Sequence, residues 1–136
     1  GIFGAGSSVS RQKPTRTDHV RWLKELPESV ALRKVMEMLR AVGAAFSKQP
    51  PSGIRLTGTT DGMLSCYEDG AYYRPHFDTD REALRNGATN ERILTTILYL
   101  NAGWREEDGG ALRLLVSKEQ GWQRVWPELG TLVAFR

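Results

Sequence analysis

The stretch that decides the fold is MLSCYEDGAYYRPHFD, residues 63–78. Apolar and aromatic residues occupy both of its halves, and Glu68-Asp69-Gly70 between them is typical of a tight turn. The pattern predicts two short strands, Met63–Glu68 and Tyr72–Asp78, joined by that turn. The rest of the chain supplies further short strands around this pair.

The second of these strands ends in His76-Phe77-Asp78, a pattern that bears chemistry. Residues two apart in a strand point to the same face, so we expect the imidazole and the carboxylate side by side, with Phe77 turned into the packing. A histidine and a carboxylate are two of the three ligands in the 2-His-1-carboxylate sites that hold non-haem Fe(II). On spacing alone a solvated or core-satisfied pair is the better interpretation, so the neighbouring motifs decide.

Short strands separated by turn residues continue along most of the chain and indicate a sandwich or jelly roll. A helix with an apolar stripe opens at Pro27 and Ser29 and runs to about Ser47. The predicted fold class is therefore mainly β, with a flanking N-terminal helix. The predicted strands are Asp18–Leu23, Ile54–Gly58, Met63–Glu68, Tyr72–Asp78, Arg92–Leu100, Ala111–Val116, Trp122–Trp126 and Thr131–Phe135.

The composition fits an ordinary globular domain, since 40% of the 136 residues are apolar, 26% are charged and the net charge is +3. One cysteine excludes an internal disulfide framework, which fits an intracellular location in cytoplasm or nucleus. No apolar run approaches the roughly 20 residues that cross a bilayer, so no membrane partner is expected. The 16 acidic residues beside 19 basic ones argue against a nucleic-acid partner, although the pI is 9.2.

The chain begins with a Gly- and Ser-rich stretch followed by a basic one, so residues 1–17 are predicted to be a flexible basic segment. Its glycines do not match a phosphate-binding loop, and no strand precedes them. Arg11, Lys13 and Arg16 leave open a contact with an acidic partner, but a solvated linker is the better interpretation. Residues 18–136 are predicted to form a single domain.

Three linked motifs carry a resemblance over roughly the last three-fifths of the chain. They are Cys66-Tyr67-x-x-Gly70-x-x-Tyr73-Arg74-x-His76-x-Asp78, Ile97-Leu98-Tyr99-Leu100-Asn101 and Gly109-Gly110-Ala111-Leu112-Arg113-Leu114. In order and spacing they resemble the prolyl-hydroxylase branch of the 2-oxoglutarate and Fe(II)-dependent oxygenases. The resemblance implies a double-stranded β-helix, a form of jelly roll, and a prolyl 4-hydroxylase-like dioxygenase.

The resemblance also implies the cofactors. Fe(II) would be held by His76 and Asp78, 2-oxoglutarate and O2 would be cosubstrates, succinate and CO2 coproducts, and ascorbate an optional reductant. Tyr67 and Tyr99 would contact 2-oxoglutarate, Tyr99 at its distal carboxylate, and Leu112 would pack against it. Without the resemblance, both tyrosines would be interpreted as core aromatics with satisfied hydroxyl groups.

A protein or peptide with a target proline is the substrate that the resemblance implies. Its binding residues would be Tyr73, Arg74 and Trp104, at the opening of the site. The polar loop Thr79–Glu91 follows the carboxylate, where loops often bind substrate, but plain solvent exposure explains it equally well. A surface arginine explains Arg74 equally well, and Pro75 departs from the family pattern, which leaves the subfamily open.

The family pattern also needs a second histidine and an arginine or lysine that pairs with the distal carboxylate of 2-oxoglutarate. Both follow a strand like Thr131–Phe135, and the sequence ends at Arg136 before either. His19 lies far from the family's position and is expected to be an ordinary histidine. We expect a longer enzyme whose last strands follow Arg136, because an unpaired sheet edge favours aggregation. A degenerate relative and an accidental match stay open.

Two alternatives come from outside the enzyme class. One is a catalytically degenerate jelly-roll module that binds a Pro-containing peptide without turnover, marked by a native C-terminus that lacks the histidine. The other is a basic interaction domain that uses the Arg11–Arg16 segment, marked by steeply salt-dependent binding of nucleic acid.

Overall fold

A computed structural model describes residues 14–48, 56, 58, 62–87 and 92–136. No helix within these ranges is long and apolar enough to span a bilayer. Short 3-10 turns occur at Leu23–Glu25 and Glu106–Asp108. In chain order the other elements are β1 His19–Trp22, α1 Val30–Lys48, β2 Met63–Cys66, α2 Arg81–Arg85, β3 Thr95–Leu98, β4 Leu112–Ser117, β5 Gly121–Val125 and β6 Leu132–Phe135.

Helix α1 is amphipathic, as its sequence predicts. The Oγ of Ser29 accepts a hydrogen bond from the backbone N–H of Leu32 at 3.0 Å, which caps the first turn. The polar face is exposed to solvent, while the apolar stripe is half-buried; its members are Leu32, Val35, Met36, Leu39, Val42 and Phe46. The predicted flanking helix is therefore confirmed.

The six strands form three antiparallel pairs, β1–β2, β3–β6 and β4–β5. In the first pair Val20 lies opposite Ser65, and in the second Thr95 lies opposite Phe135. The β4–β5 hairpin is nested in sequence between the two strands of the β3–β6 pair. The predicted β-rich class with one long helix is confirmed, and each predicted strand that forms agrees with the observed one to within a few residues.

Apolar side chains are half-buried in these strand pairs rather than enclosed in one core. None of the hydrophobic residues that the structure describes is fully buried. Large apolar side chains such as Leu115, Trp122 and Leu129 are at least half exposed, at 57%, 50% and 61%. Local order in the described part of the chain therefore depends strongly on backbone ladders and polar contacts.

The predicted strand Tyr72–Asp78 is wrong. Only Tyr73 makes a β-bridge, to Arg16, and the remainder of the segment is irregular. Pro75 explains the break, because it has no N–H to donate to a ladder and restricts the backbone on either side. Phe77, expected in the packing, is 75% exposed.

One further prediction needs correction, and another concerns residues that lie mostly outside the described ranges. The polar loop Thr79–Glu91 contains the short helix α2, whose first turn is capped by Asp80: its Oδ1 accepts the N–H groups of Glu82 and Ala83 at 3.0 and 2.9 Å. The predicted strand Ile54–Gly58 lies outside the described residues except at its positions 56 and 58, where no strand is assigned.

The end of the predicted flexible segment is held in place. The backbone N–H of Thr17 donates to the carbonyl of Tyr72 at 2.9 Å, and that of Arg74 donates to the carbonyl of Thr15 at 2.8 Å. We name residues 14–18 the N-terminal strap. The strap runs antiparallel to the segment that leads into His76. The two segments pair at one position, the bridge between Arg16 and Tyr73.

Candidate metal centre

His76 and Asp78 lie side by side, as the sequence predicts, although no strand places them. The Nε2 atom of His76 is 3.0 Å from the Oδ1 atom of Asp78. The Nδ1 atom faces the backbone carbonyl oxygen of Arg74 at 2.7 Å. Both partners are hydrogen-bond acceptors, and a neutral imidazole carries only one N–H. The two contacts are therefore satisfied together only when a cation, either a proton or a metal ion, occupies the position at Nε2.

The carboxylate of Asp78 is oriented by a strand and by an arginine. The hydroxyl of Thr95, the first residue of β3, donates to Oδ2 at 2.5 Å. The Nη1 atom of Arg92 is 3.5 Å from Oδ1. Burial raises the pKa of Asp78, but the Thr95 hydrogen bond and the charges of Arg92 and His76 outweigh it and lower the pKa below the ordinary 3.8. Asp78 is therefore ionised at neutral pH.

The donor set fits a non-haem metal ion in kind. An imidazole nitrogen whose other ring nitrogen bonds to a backbone carbonyl is the usual form of a metal-ligating histidine. A carboxylate with one oxygen fixed by a hydroxyl leaves its other oxygen to bind the same ion. The residues that would hold a metal are thus His76 through Nε2 and Asp78 through Oδ1. Within the described ranges, no three His, Cys, Asp or Glu side chains lie close enough together to hold a metal ion.

Tyr67 lies within electrostatic reach of Tyr73 and of Tyr99. Burial is the main cause of the raised pKa of Tyr67 and of Tyr99, and the pKa of Tyr67 also responds to the charge of Asp18 and to Tyr99. Both phenols therefore remain protonated at neutral pH and can donate to a ligand.

Tyr73 and Arg74 contact His76 directly. The ring of Tyr73 stacks on the imidazole of His76, with centroids 3.8 Å apart and planes inclined by 18°. Arg74 contributes its backbone carbonyl to Nδ1, while its guanidinium lies 5.6 Å from the ring centroid of Tyr72. Of the predicted substrate residues, Tyr73 therefore lies against the site, and Arg74 touches it through its backbone.

Trp104 and Leu112 make their contacts elsewhere. The indole N–H of Trp104 donates to the carbonyl of Gly109 at 2.9 Å, and its ring lies 5.6 Å from that of Trp126. Leu112 begins β4 and lies opposite Val125 in the hairpin. None of the contacts that the structure describes joins these two residues to His76 or Asp78.

Sequence reasoning missed four residues that support the site. Thr95 and Arg92 bind Asp78, and Arg16 and Asp18 form an ion pair beside Tyr73. The contacts of Thr95 and Arg92 with Asp78, and of Arg16 with Tyr73, join residues that are distant in sequence, and no local spacing signals them. His19, expected to be an ordinary histidine on the surface or in the core, is 71% exposed and lies 3.5 Å from Glu68.

Comparison with known families gave one match. A family model described as the 2OG-Fe(II) oxygenase superfamily matches residues 62–136, which is more than half of the chain. No curated protein and no solved structure matched. The matched residues include the pair His76 and Asp78 and both candidate tyrosines, whereas the N-terminal strap precedes them.

Proposed function

The chain belongs to the 2OG-Fe(II) oxygenase superfamily, and from this premise we propose that it hydroxylates a prolyl residue in a protein or peptide. Membership implies Fe(II), 2-oxoglutarate and O2. The finer part of the proposal is the prolyl target, with ascorbate as an optional reductant. We further propose that residues 18–136 belong to a double-stranded β-helix that works inside the cell.

The contact between His76 and Asp78 carries the proposal. It lies in the matched segment, its two atoms are 3.0 Å apart, and only a cation at Nε2 satisfies both contacts of the imidazole. A structural histidine–aspartate pair needs only a proton there. A protein that binds iron uses the same position for the metal, and the superfamily supplies the reason to expect one.

The chemistry that iron supplies in this superfamily is the oxidation of 2-oxoglutarate by O2 to succinate and CO2, with one oxygen atom entering a C–H bond of the substrate. The protein's part is to bind, orient and exclude water. Thr95 fixes the carboxylate of Asp78, and the carbonyl of Arg74 fixes the tautomer of His76. Both ligands are thereby oriented before the metal binds.

The two tyrosines suit a dicarboxylate ligand. A phenol keeps its proton at neutral pH with its ordinary pKa of about 10, and burial raises the pKa of Tyr99 and of Tyr67 further. A protonated phenol donates a hydrogen bond to a carboxylate, whereas a phenolate would repel it. We assign Tyr99 to the distal carboxylate of 2-oxoglutarate, Tyr67 to the same ligand, and Leu112 to its apolar carbons.

Prolyl specificity is supported by the aromatic surface at the site. Tyr73 is 37% exposed and stacks on His76, so a substrate ring that contacts the exposed part of the phenol comes close to the metal position. Phe77 adds a second exposed ring, and we assign Arg74 and Trp104 to the flanking chain of the peptide. The jelly roll is supported by the nested pairing of β4–β5 between β3 and β6.

The test is turnover on peptides, with the full product of the gene and with this chain. The protein is incubated with Fe(II), 2-oxoglutarate, O2 and a library of proline-containing peptides, with and without ascorbate. Succinate is measured by NMR, and the oxidised residue is located by tandem mass spectrometry. We expect one added oxygen on proline for each succinate formed. Oxygen found only on another residue would overturn the prolyl target and leave the oxygenase.

A second candidate function is a catalytically degenerate module that binds a Pro-containing peptide without turnover. Arg92 favours it, because its guanidinium is 3.5 Å from Asp78 Oδ1, where it partly replaces the charge of a metal. The described residues supply two ligands and no third. Peptide binding that is unchanged by Fe(II) and by a chelator would establish the module. Binding that strengthens with Fe(II) would exclude it.

A further inference from the structure

The backbone around His76 does not hold its imidazole as a strand would. Tyr73 makes the one β-bridge of the segment, Pro75 offers no N–H, and Phe77 is 75% exposed. A metal ligand must keep its ring in one orientation to bind with the correct geometry. Side-chain contacts therefore have to set the rotamer of His76.

Besides the 3.0 Å contact of Nε2 with Asp78, two contacts set that rotamer. The carbonyl oxygen of Arg74 lies 2.7 Å from Nδ1 of His76, and this contact opposes rotation of the imidazole ring. The ring of Tyr73 lies parallel to the imidazole with centroids 3.8 Å apart, and it covers one face. Rotation about the Cβ–Cγ bond of His76 is incompatible with this stack, so Tyr73 helps to keep the imidazole in its orientation.

Tyr73 is in turn held by the N-terminal strap. The guanidinium carbon of Arg16 lies 4.5 Å from the centroid of the Tyr73 ring, within the range of a cation–π contact. Arg16 and Tyr73 also form the β-bridge, and the hydrogen bonds of Thr15 and Thr17 flank it. Backbone and side chain of Arg16 thus contact the same tyrosine.

Arg16 is itself firmly fixed. Its Nε and Nη2 atoms donate to the two carboxylate oxygens of Asp18 at 2.7 and 2.5 Å, a bidentate pair in which the Asp18 side chain is 0% exposed. A further hydrogen bond from Nη2 reaches the Oγ of Ser65 in β2 at 3.3 Å. Strap, sheet and metal ligand are therefore joined through Arg16 and Tyr73.

We propose that Arg16 is a positioning residue for the metal ligand His76 and acts through the ring of Tyr73. The proposal rests on the proposed function, since it takes His76 as an iron ligand. It assigns a role to a residue that precedes the matched family segment 62–136. The strap then belongs to the active site, although its sequence alone suggests a solvated linker.

The experiment compares four variants with the wild-type chain. Arg16→Lys keeps the charge but not the planar fork, and Tyr73→Phe keeps the ring without its hydroxyl. Arg16→Met with Asp18→Asn removes the ion pair without leaving an unpaired carboxylate, which guards against a failure to fold. Arg113→Ala is the matched control, because Arg113 also lies over an aromatic ring, that of Trp122 at 5.2 Å, in the β4–β5 hairpin.

The first measurement needs no metal. The ring protons of His76 are observed by NMR at constant pH, because the stacked Tyr73 ring shifts them upfield. We expect the double variant to lose most of this shift, Arg16→Lys to lose part of it, and Tyr73→Phe and Arg113→Ala to keep it. The second measurement is anaerobic titration with Fe(II), where the double variant should bind about 10-fold more weakly and Arg113→Ala as tightly as the wild type.

Three outcomes count against the account, and they differ. A folded double variant with wild-type His76 shifts and wild-type Fe(II) affinity overturns the role of Arg16 and leaves the proposed function intact. An equal loss of affinity in Arg113→Ala shows a general effect of destabilisation and also overturns it. Absence of His76-dependent Fe(II) binding in the wild type and in the full gene product overturns the proposed function, and this inference with it.

Discussion

Side-chain hydrogen bonds connect distant parts of the chain around His76, whereas the β4–β5 hairpin is stabilised by its own backbone ladder. Thr95 reaches Asp78 across 17 positions, and Arg16 reaches Ser65 across 49. In the hairpin, Arg113 lies over Trp122 of the paired strand, and the turn is closed by the Oγ of Ser117, which accepts the N–H of Gln120 at 3.0 Å. One region is tied together by long-range polar contacts, and the other by neighbours.

Single substitutions should therefore have different effects in these two regions. A ladder spreads its free energy over many backbone bonds, so the loss of one exposed side chain changes little. The segment around His76 has no β-ladder, and each polar contact there orients a particular atom of the site. Substitutions at the site should therefore alter ligand binding, while those in the hairpin should alter stability alone.

The largest effect is expected from Asp78→Ala. The variant removes the carboxylate that would bind the metal and leaves Arg92 without its 3.5 Å partner. Changes in residues that merely support a ligand already cost about 10–100-fold in affinity, so loss of the ligand should exceed about 100-fold. Anaerobic titration with Fe(II) measures it. Wild-type affinity for iron in Asp78→Ala would show that the residues around His76 do not form the metal site.

A smaller effect is expected from Thr95→Val, which keeps the shape of the side chain and removes the 2.5 Å hydrogen bond to Asp78. Metal affinity should fall about 10-fold, because the free carboxylate loses its orientation. Thr96→Val is the matched control, since Thr96 is the neighbouring residue of β3, opposite Ala134. Equal affinities of the two variants would show that the hydroxyl does not orient the ligand.

The lowered pKa of Asp78 gives a pH dependence of stability. A carboxyl whose folded pKa lies below its unfolded value of 3.8 stabilises the fold above that pH, and the contribution is lost as the pH falls through the folded pKa. Urea unfolding should therefore separate the wild type from Asp78→Asn at neutral pH and much less in strong acid. A gap that widens in acid would contradict the assigned network.

The smallest effect is expected from Trp122→Ala in the hairpin. This residue is 50% exposed, lies opposite Leu115 and carries Arg113 over its ring. Cross-strand and exposed cation–π contacts contribute roughly 0.2–1 kcal/mol each, so a loss of about 1 kcal/mol in unfolding free energy is expected. Fe(II) affinity should stay at the wild-type value. A loss of Fe(II) affinity comparable to that of Thr95→Val would show that the hairpin and the segment around His76 do not differ in their effect on metal binding.

Elements with a regular hydrophobic pattern were predictable from the sequence. The helix from Ser29 and the strands β1, β4, β5 and β6 follow their periodicity, because local spacing alone determines which face is apolar. The sequence also predicts that the side chains of His76 and Asp78 lie side by side, as they do. The reason given was wrong, since Pro75 interrupts the strand and the pair forms in an irregular segment.

Contacts between distant segments could not be predicted. Arg16 looked like a residue of a solvated linker because its partner Tyr73 is 57 positions away and pairs with it only through the bridge. Which strand would bring a hydroxyl to Asp78 depends on how the strands associate, and the spacing within Arg92–Leu100 contains no information about that. The orientation of Trp104 toward Trp126 is unpredictable for the same reason.

The most direct test of the account is an anaerobic titration with Fe(II) and 2-oxoglutarate, on this chain and on the full product of its gene. The visible charge-transfer band of the chelate reports both cofactors in one site. We expect a band in the full gene product that disappears in His76→Ala and persists in Arg113→Ala. A folded protein that gives no band, or a band that persists in His76→Ala, would contradict the assignment of His76 and Asp78 as the metal centre.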